Sequence, residues 1–223
     1  MQHFSQIEDA IPAIAAGRVV IVVDSEDREN EGDFIGAAEK ATPEMIHFMV
    51  SEGRGQLCVP LLPETARRLD LAPMVADGDP DTPRFAVPVD AIECHTGISP
   101  SERARTIQRM IDPATRPADF VRPGHVFPLI ARERGVFERQ GHTEAAVDLA
   151  RLAGVIPAGI LCEICSRDGR NMARGDELAE IAREFQLPII TIDDLIEYRL
   201  KRQAGINSRL ATPCEALLGA AQN

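Results

Sequence analysis

Six carboxylates and one arginine fall within ten residues, Asp24-Ser25-Glu26-Asp27-Arg28-Glu29-Asn30-Glu31-Gly32-Asp33, a local charge of −5 (six acids less one arginine). Apolar, β-branched runs stand on either side, Arg18 to Val23 and Phe34 to Ala38, and both read as buried strands. A solvated acidic run disperses its charges freely. One pinned between two core strands cannot, and such crowding is relieved by a cation or a cationic ligand. Asn30 and Gly32 are also ordinary turn residues, so the same stretch suits a plain solvated turn.

A second concentration of chemistry lies at Arg139-Gln140-Gly141-His142-Thr143, a guanidinium and a flexible glycine at the start of a helix whose first amides have no partner within the helix. Phosphate suits that arrangement, through the helix dipole and charge-assisted hydrogen bonds. The plain alternative makes Arg139 a surface charge and Thr143 a helix cap. Neither G-x-x-x-x-G-K-[ST] nor G-x-G-x-x-G occurs, so a sugar phosphate fits better than a nucleotide. His142, with a carboxylate from the acidic loop, would form a small oxygen-rich site for magnesium or manganese, although a lone histidine is more often structural.

Two further residues carry candidate proton chemistry. His125 sits in Arg122-Pro123-Gly124-His125-Val126-Phe127-Pro128, where the prolines would hold its ring at one angle, as a general acid or base requires. Glu163 is the one charge in the apolar run Gly159 to Cys165, either a working carboxylate or half of a salt bridge. The five cysteines, at 58, 94, 162, 165 and 214, are odd in number and scattered, which suits reduced thiols in the cytoplasm better than a disulfide framework. Cys162 and Cys165 form a C-x-x-C, but on a strand that spacing sends the thiols to opposite faces, against a zinc or redox pair. Cys58 reads as a small core residue.

The elements that must position these groups alternate along the chain. Helix Gln6 to Ala16, closed by Gly17, leads into the first strand and the acidic hairpin. Thr42-Pro43-Glu44 opens a helix ending at Gly53, Gln56 to Leu61 is a strand, Pro63 to Leu71 a helix, and Asp77 to Asp81 a loop. Phe85 to Ile92 alternates as a strand in which Pro88 marks an edge or a bulge. Ser99-Pro100-Ser101-Glu102 is a capping box opening a helix to about Ile111, and the proline-broken stretch Asp112 to Pro128 cannot be helix. Helix Glu144 to Ala153, stopped by Gly154, follows; then come the Glu163 strand, helix Glu177 to Phe185, strand Pro188 to Ile192 and a last helix from Asp193 to about Gln203. This alternation specifies an α/β (α+β type) fold, one domain over residues 1–203 with a mixed sheet flanked by helices, and a loosely held tail over 204–223.

A net charge of −11 and a pI near 4.9 weigh against nucleic acid or an anionic membrane as partner. No run approaches the eighteen or so apolar residues of a membrane span, and the start MQHFSQIEDA lacks the basic and apolar segments of a signal peptide.

Three stretches together resemble the 3,4-dihydroxy-2-butanone 4-phosphate synthase family: DSEDRENEGD at 24–33, RPGHVFPL at 122–129, and RQGHTEAAVDLARLAG with the following PAGILCEI at 139–164. The likeness runs from about residue 5 to 200. It implies conversion of ribulose 5-phosphate to a four-carbon phosphate and formate, and a homodimer with active sites at the subunit interface. It further implies Glu29 and His142 as ligands of magnesium (or manganese), and His125 and Glu163 as the catalytic pair. Arg28 and Asp33 would meet the sugar, with Glu29, His142 and Glu163 also facing it. Arg139, Gln140, Gly141, His142 and Thr143 would hold the phosphate, and Cys58 and Thr96 would line the site. The acidic loop would act as a lid hinged at Gly32.

The chain departs from the family pattern at Asp90-Ala91-Ile92-Glu93-Cys94-His95-Thr96-Gly97-Ile98-Ser99, which is one residue shorter than usual and carries histidine in place of a hydroxyl residue. Pro88 stands where the family prefers serine or threonine. The altered loop at 92–96 favours one alternative, a paralogue acting on, or only binding, another phosphorylated sugar. A noncatalytic metal-binding protein is a third reading. Only about twenty residues follow residue 203, so the GTP cyclohydrolase activity found fused to this family in many bacteria is not expected.

Overall fold

The run Val20–Val23 is buried throughout, and its side chains divide by the period of a strand: Val20 and Val22 enter one apolar cluster, Ile21 and Val23 another. A strand of this kind must lie inside a sheet covered on both faces. In the computed structural model, which describes residues 4–76, 78–79 and 81–204, it is β1 of a seven-stranded mixed sheet. The others are β2 (Gly32–Ala37), β3 (Cys58–Leu61), β4 (Val89–Ala91), β5 (Phe120–Ile130), β6 (Gly159–Glu163) and β7 (Ile189–Thr191), in the spatial order β4-β5-β3-β6-β2-β1-β7. The pairs β1–β7 and β3–β5 are parallel and the rest antiparallel.

Helices α1 (Ile7–Ala15) and α5 (His142–Leu152) cover the Val20 face through Ile7, Ile14, Ala145, Ala146 and Leu149, joined by Leu195 of a last helix, α7, over residues 192–204. The opposite face is covered by α2 (Pro43–Phe48), α3 (Pro63–Arg68), α4 (Pro100–Ile111) and α6 (Asp176–Phe185), around Phe34, Ile46, Leu69, Ile107 and Ile181. Phe34, fully buried, stacks tilted on Phe48 at 5.1 Å between ring centroids; burial of such a ring stabilises by about 2–3 kcal/mol. The expected fold class is thus the observed one.

Several boundaries differ from the sequence reading. The proline-broken stretch holds a long strand, because Pro123 lies where the β4–β5 register shifts and no ladder amide is needed. The strand read over Phe85 to Ile92 contracts to β4, with isolated bridges at Phe85 and Ala86. Gly32 lies at the start of β2, paired with Val23, where a Cβ would overlap the tip of the Leu178 side chain. The left-handed residue of the acidic loop is Asn30, at φ 53°. The tail from 205 onward and residues 77 and 80 of the polar loop lie outside the described residues.

Candidate metal centre and active site

The acidic loop is folded around one of its own carboxylates. Asp24, 4% exposed at the end of β1, accepts the backbone N–H of Glu31 on Oδ1 (2.8 Å) and that of Glu29 on Oδ2 (3.1 Å). Arg28 donates to the same Oδ2 at 2.7 Å and pairs with Glu29 at 3.0 Å. From outside, Arg174 donates to Glu31 Oε1 (2.6 Å) and to the carbonyl of Glu29 (3.3 Å). The crowding is therefore partly met by two arginines, and the Glu29 side chain stays about half exposed.

Strand register supplies the floor of the site. Asp33 of β2 stands opposite Val22 of β1 on one side and Glu163 of β6 on the other. Burial pushes the Asp33 carboxyl well up from the ordinary aspartate value, and the charge of Glu163, then those of Glu29, Asp24 and Glu31, adds to the effect. Burial also raises Glu31, although Arg174 opposes it. Glu163 forms no salt bridge among the described residues; its Oε2 accepts the backbone N–H of Gln56 at 2.7 Å. Gly55 permits this, since a Cβ there would overlap the backbone and carboxylate of Glu163. Cys58 lies buried in the α5-side cluster, its thiol raised first by burial and then by Glu163 and Asp33, so it is an inert thiol beside two acids.

The N-terminus of α5 closes the site from below. His142, its first residue, is buried, which holds its imidazole below the ordinary histidine value and so neutral. Nε2 is 3.1 Å from the carbonyl of Val22; donating there, it leaves Nδ1, 3.8 Å from Asp33, with a free lone pair. Ligand atoms of Asp24, Glu29 and His142 all lie within 4.8 Å of one another. Two carboxylates and a neutral imidazole, in a field too negative for its own arginines, fit a hard divalent cation such as magnesium or manganese. Glu29 and His142 are the ligands expected from the sequence, and Asp24 is an addition. Its signal was its place as the first acid after a buried strand, where a side chain can cap the returning amides.

Helix α5 begins at His142 with Gly141 as its cap, so Thr143 is no cap; it lies buried within the first turn. The extended backbone of Gly141 starts the helix two residues early and leaves its N-cap position without a side-chain hydrogen bond. Arg139 is buried rather than a surface charge. Its Nη1 donates to Glu144 (2.8 Å) and its Nε to the carbonyl of Asp81 (2.9 Å), while Nη2 is buried with no acceptor among the described residues. Gly141 makes room for this guanidinium, which a Cβ would overlap, and Gln140 is exposed beside it. A cleft of about 530 Å³, lined by Gln56, Phe85, Phe127, Arg84 and Arg132 among others, opens next to the site at Gln56.

His125 belongs to a second group. Its Nδ1 is 2.7 Å from Asp90 Oδ2, and its backbone N–H donates to Asp90 Oδ1 at 2.9 Å. Thr96 lies in the adjoining loop, with its hydroxyl bonded to Glu102, which also accepts the amides of His95 and Gly97. No hydrogen bond or ion pair joins His125 to Glu163, Glu29 or His142 among the described residues. Their strands, β5 and β6, flank β3, which sets His125 and Glu163 on backbones about 10 Å apart. The structure thus gathers Arg28, Glu29, Asp33, Cys58, Glu163, His142 and Thr143 into one group and leaves His125 and Thr96 in another.

Fold and site together define a class: a mixed-sheet α/β protein with a carboxylate–histidine cluster able to hold a metal ion between a β-hairpin and a helix start. The sequence profile of the 3,4-dihydroxy-2-butanone 4-phosphate synthase family matches residues 8–198, and the chain belongs to that family. Riboflavin biosynthesis protein RibBA of Bacillus mycoides is 54% identical over 197 residues, covering 88% of this chain and 49% of that protein. RibBA of Aquifex aeolicus is 54% identical over 218 residues, covering 94% and 53%. The chain therefore spans about half the length of the curated relatives it matches. A crystal structure of 3,4-dihydroxy-2-butanone 4-phosphate synthase in complex with two magnesium ions superposes with a TM-score of 0.84 at 42% identity, over 90% of this chain and 99% of that one. The two-domain RibBX from A. baumannii gives 0.84 at 46% identity, over 87% and 58%.

Proposed function

We propose that this chain converts ribulose 5-phosphate to 3,4-dihydroxy-2-butanone 4-phosphate and formate, in riboflavin biosynthesis. The observation that carries the reading is the Asp24–Glu29–His142 donor set beside two adjacent acids, Asp33 and Glu163, at the start of α5. Glu29 and His142, with Asp24, hold magnesium or manganese, and a neighbour solved with two magnesium ions supports the choice of magnesium. When bound, the ion supplies Lewis-acid polarisation of the sugar's carbonyl oxygen.

The chain's own residues do the rest. The amides opening α5 and the unpartnered Nη2 of Arg139 take the phosphate, with Gln140, Gly141 and Thr143 around it. Arg28 and Asp33 hold the sugar, and Cys58 and Thr96 line its pocket. Asp33, with a carboxyl raised by burial and then by Glu163, is a proton-holding group beside the sugar. His125 and Glu163 move the remaining protons. The proton on carbon 3 is removed, the carbon 1 hydroxyl leaves as water, the skeleton shifts, and carbon 4 leaves as formate with a water taken back. Atoms balance, and no oxidant is required.

The separation of the His125 group from the Glu163 group supports a homodimer in which His125 of one copy completes the metal group of the other. Ile92, Ile98 and Val121 are 48–60% exposed along the β4–β5 edge beside His125, apolar surface suited to such a contact. No helix among the described residues is long and apolar enough to cross a membrane, and the four described cysteines are unpaired, in keeping with the cytoplasm. Formate release from ribulose 5-phosphate with magnesium, abolished by chelator, tests the reading. Folded, metal-loaded protein that releases none would refute it and turn attention to other sugar phosphates, with the altered loop at 92–96 as the suspect.

A further inference from the structure

Asp90 is a buried acid outside the metal group, 8% exposed in β4, and both of its oxygens turn to one residue of the next strand. Oδ1 accepts the backbone N–H of His125 and Oδ2 meets its ring at Nδ1, so backbone and imidazole are gripped together. The space for this grip is reserved by two glycines. A Cβ at Gly97, where φ is +78°, would overlap the Asp90 carboxylate, and one at Gly124 would overlap the backbone joining Val89 to Asp90. The imidazole itself is about half exposed, and Nε2 has no hydrogen-bond partner among the described residues.

We propose that Asp90 is the positioning residue of His125, fixing its imidazole as the Nδ1–H tautomer and presenting a bare Nε2 to the substrate. A carboxylate can only accept, so the ring nitrogen facing it must donate, and in the neutral ring the other nitrogen is then the acceptor. This rests on the reading of His125 as a proton carrier and adds what makes it competent. It also gives the prolines and Gly124 around His125 a purpose: the strand is bent there so that a buried acid can reach the ring.

The test is Asp90→Asn, with two readouts on the full-length protein. Nitrogen-15 spectra at pH 8, with His125 assigned by its loss in His125→Gln, should show a protonated Nδ1 and bare Nε2 in the wild type, and a switch toward Nε2–H in the variant, whose amide can donate. Turnover should fall about 100-fold, with KM for ribulose 5-phosphate and manganese affinity unchanged, since Glu29 and His142 belong to the other group. An unchanged tautomer overturns the proposal, as does a switched tautomer with full turnover. Wild-type protein that releases no formate would refute the catalytic reading instead, and the tautomer measurement would still decide Asp90's role. If Asp90→Asn does not fold, Asp90→Ser, which replaces the carboxylate by a smaller hydroxyl, takes the same two readouts, with loss of the fixed Nδ1–H tautomer expected.

Discussion

Asp24 explains how one loop can hold so many acids, because its carboxylate draws in two amides and an arginine while lending an oxygen to the metal set. Asp24→Ala should therefore weaken manganese binding about 10- to 100-fold by calorimetry; unchanged affinity would reduce Asp24 to a turn residue. Asp33 makes a pH prediction. Its raised folded-state carboxyl keeps a proton that the unfolded chain releases, so it costs no stability at acid pH. That protection is lost as pH rises from the ordinary aspartate value through the raised one. In chelator, the melting temperature of Asp33→Asn should exceed the wild type's by more at pH 8 than at pH 5, and a constant difference would contradict this. At this scale, residue types and spacing singled out His142, His125 and Glu163 as candidates, whereas Glu29 was picked from the acidic loop only by the family resemblance. Asp24 and Asp90 escaped because their contacts depend on which backbone amides return to them, and Thr143 was misread as the cap because glycine opened the helix two residues early.

The elements hold these groups by close approach more than by bonding. Gly55 brings the backbone before β3 against Glu163, and Gly55→Ala should cost about 1–3 kcal/mol by overpacking and lower turnover, measured by denaturant melts and formate release; a neutral outcome would mean that Glu163 can shift freely. Arg174 latches the acidic loop from the turn before α6 through partly exposed contacts. Arg174→Ala should change stability by no more than about 1 kcal/mol, yet raise the magnesium concentration needed for half-maximal rate. The apolar strands β1, β2 and β6 were legible because runs buried on both faces have few other readings. Strand β5 was hidden by its prolines, which a bulge accommodates, and β4 was overextended because alternation continued past its last pairing. Gly32 packs closely against Leu178 on a helix more than a hundred residues later in the chain, a contact that no local pattern announces.

For the whole molecule, the fold class could be read from the alternation of elements, whereas the strand order could not. The sequence neighbours β4 and β5 form one edge while β1 lies near the other, with β3 and β6 inserted between, so the two functional groups meet only through non-local pairing. If His125 of one copy serves the metal group of its neighbour, mixing inactive His125→Ala and Glu163→Gln proteins should restore about a quarter of wild-type turnover, half of the dimers being mixed and each having one intact site. Mixed protein that stays inactive would place both residues in the same copy. The most direct measurement of the central claim follows ribulose 5-phosphate labelled with carbon-13 at carbon 4, in the presence of magnesium. The account predicts that the label is released as formate, that chelator stops the release, and that Glu29→Gln, still folded, releases none. Label retained in the sugar phosphate, or formate formed equally well by Glu29→Gln or in chelator, would contradict it.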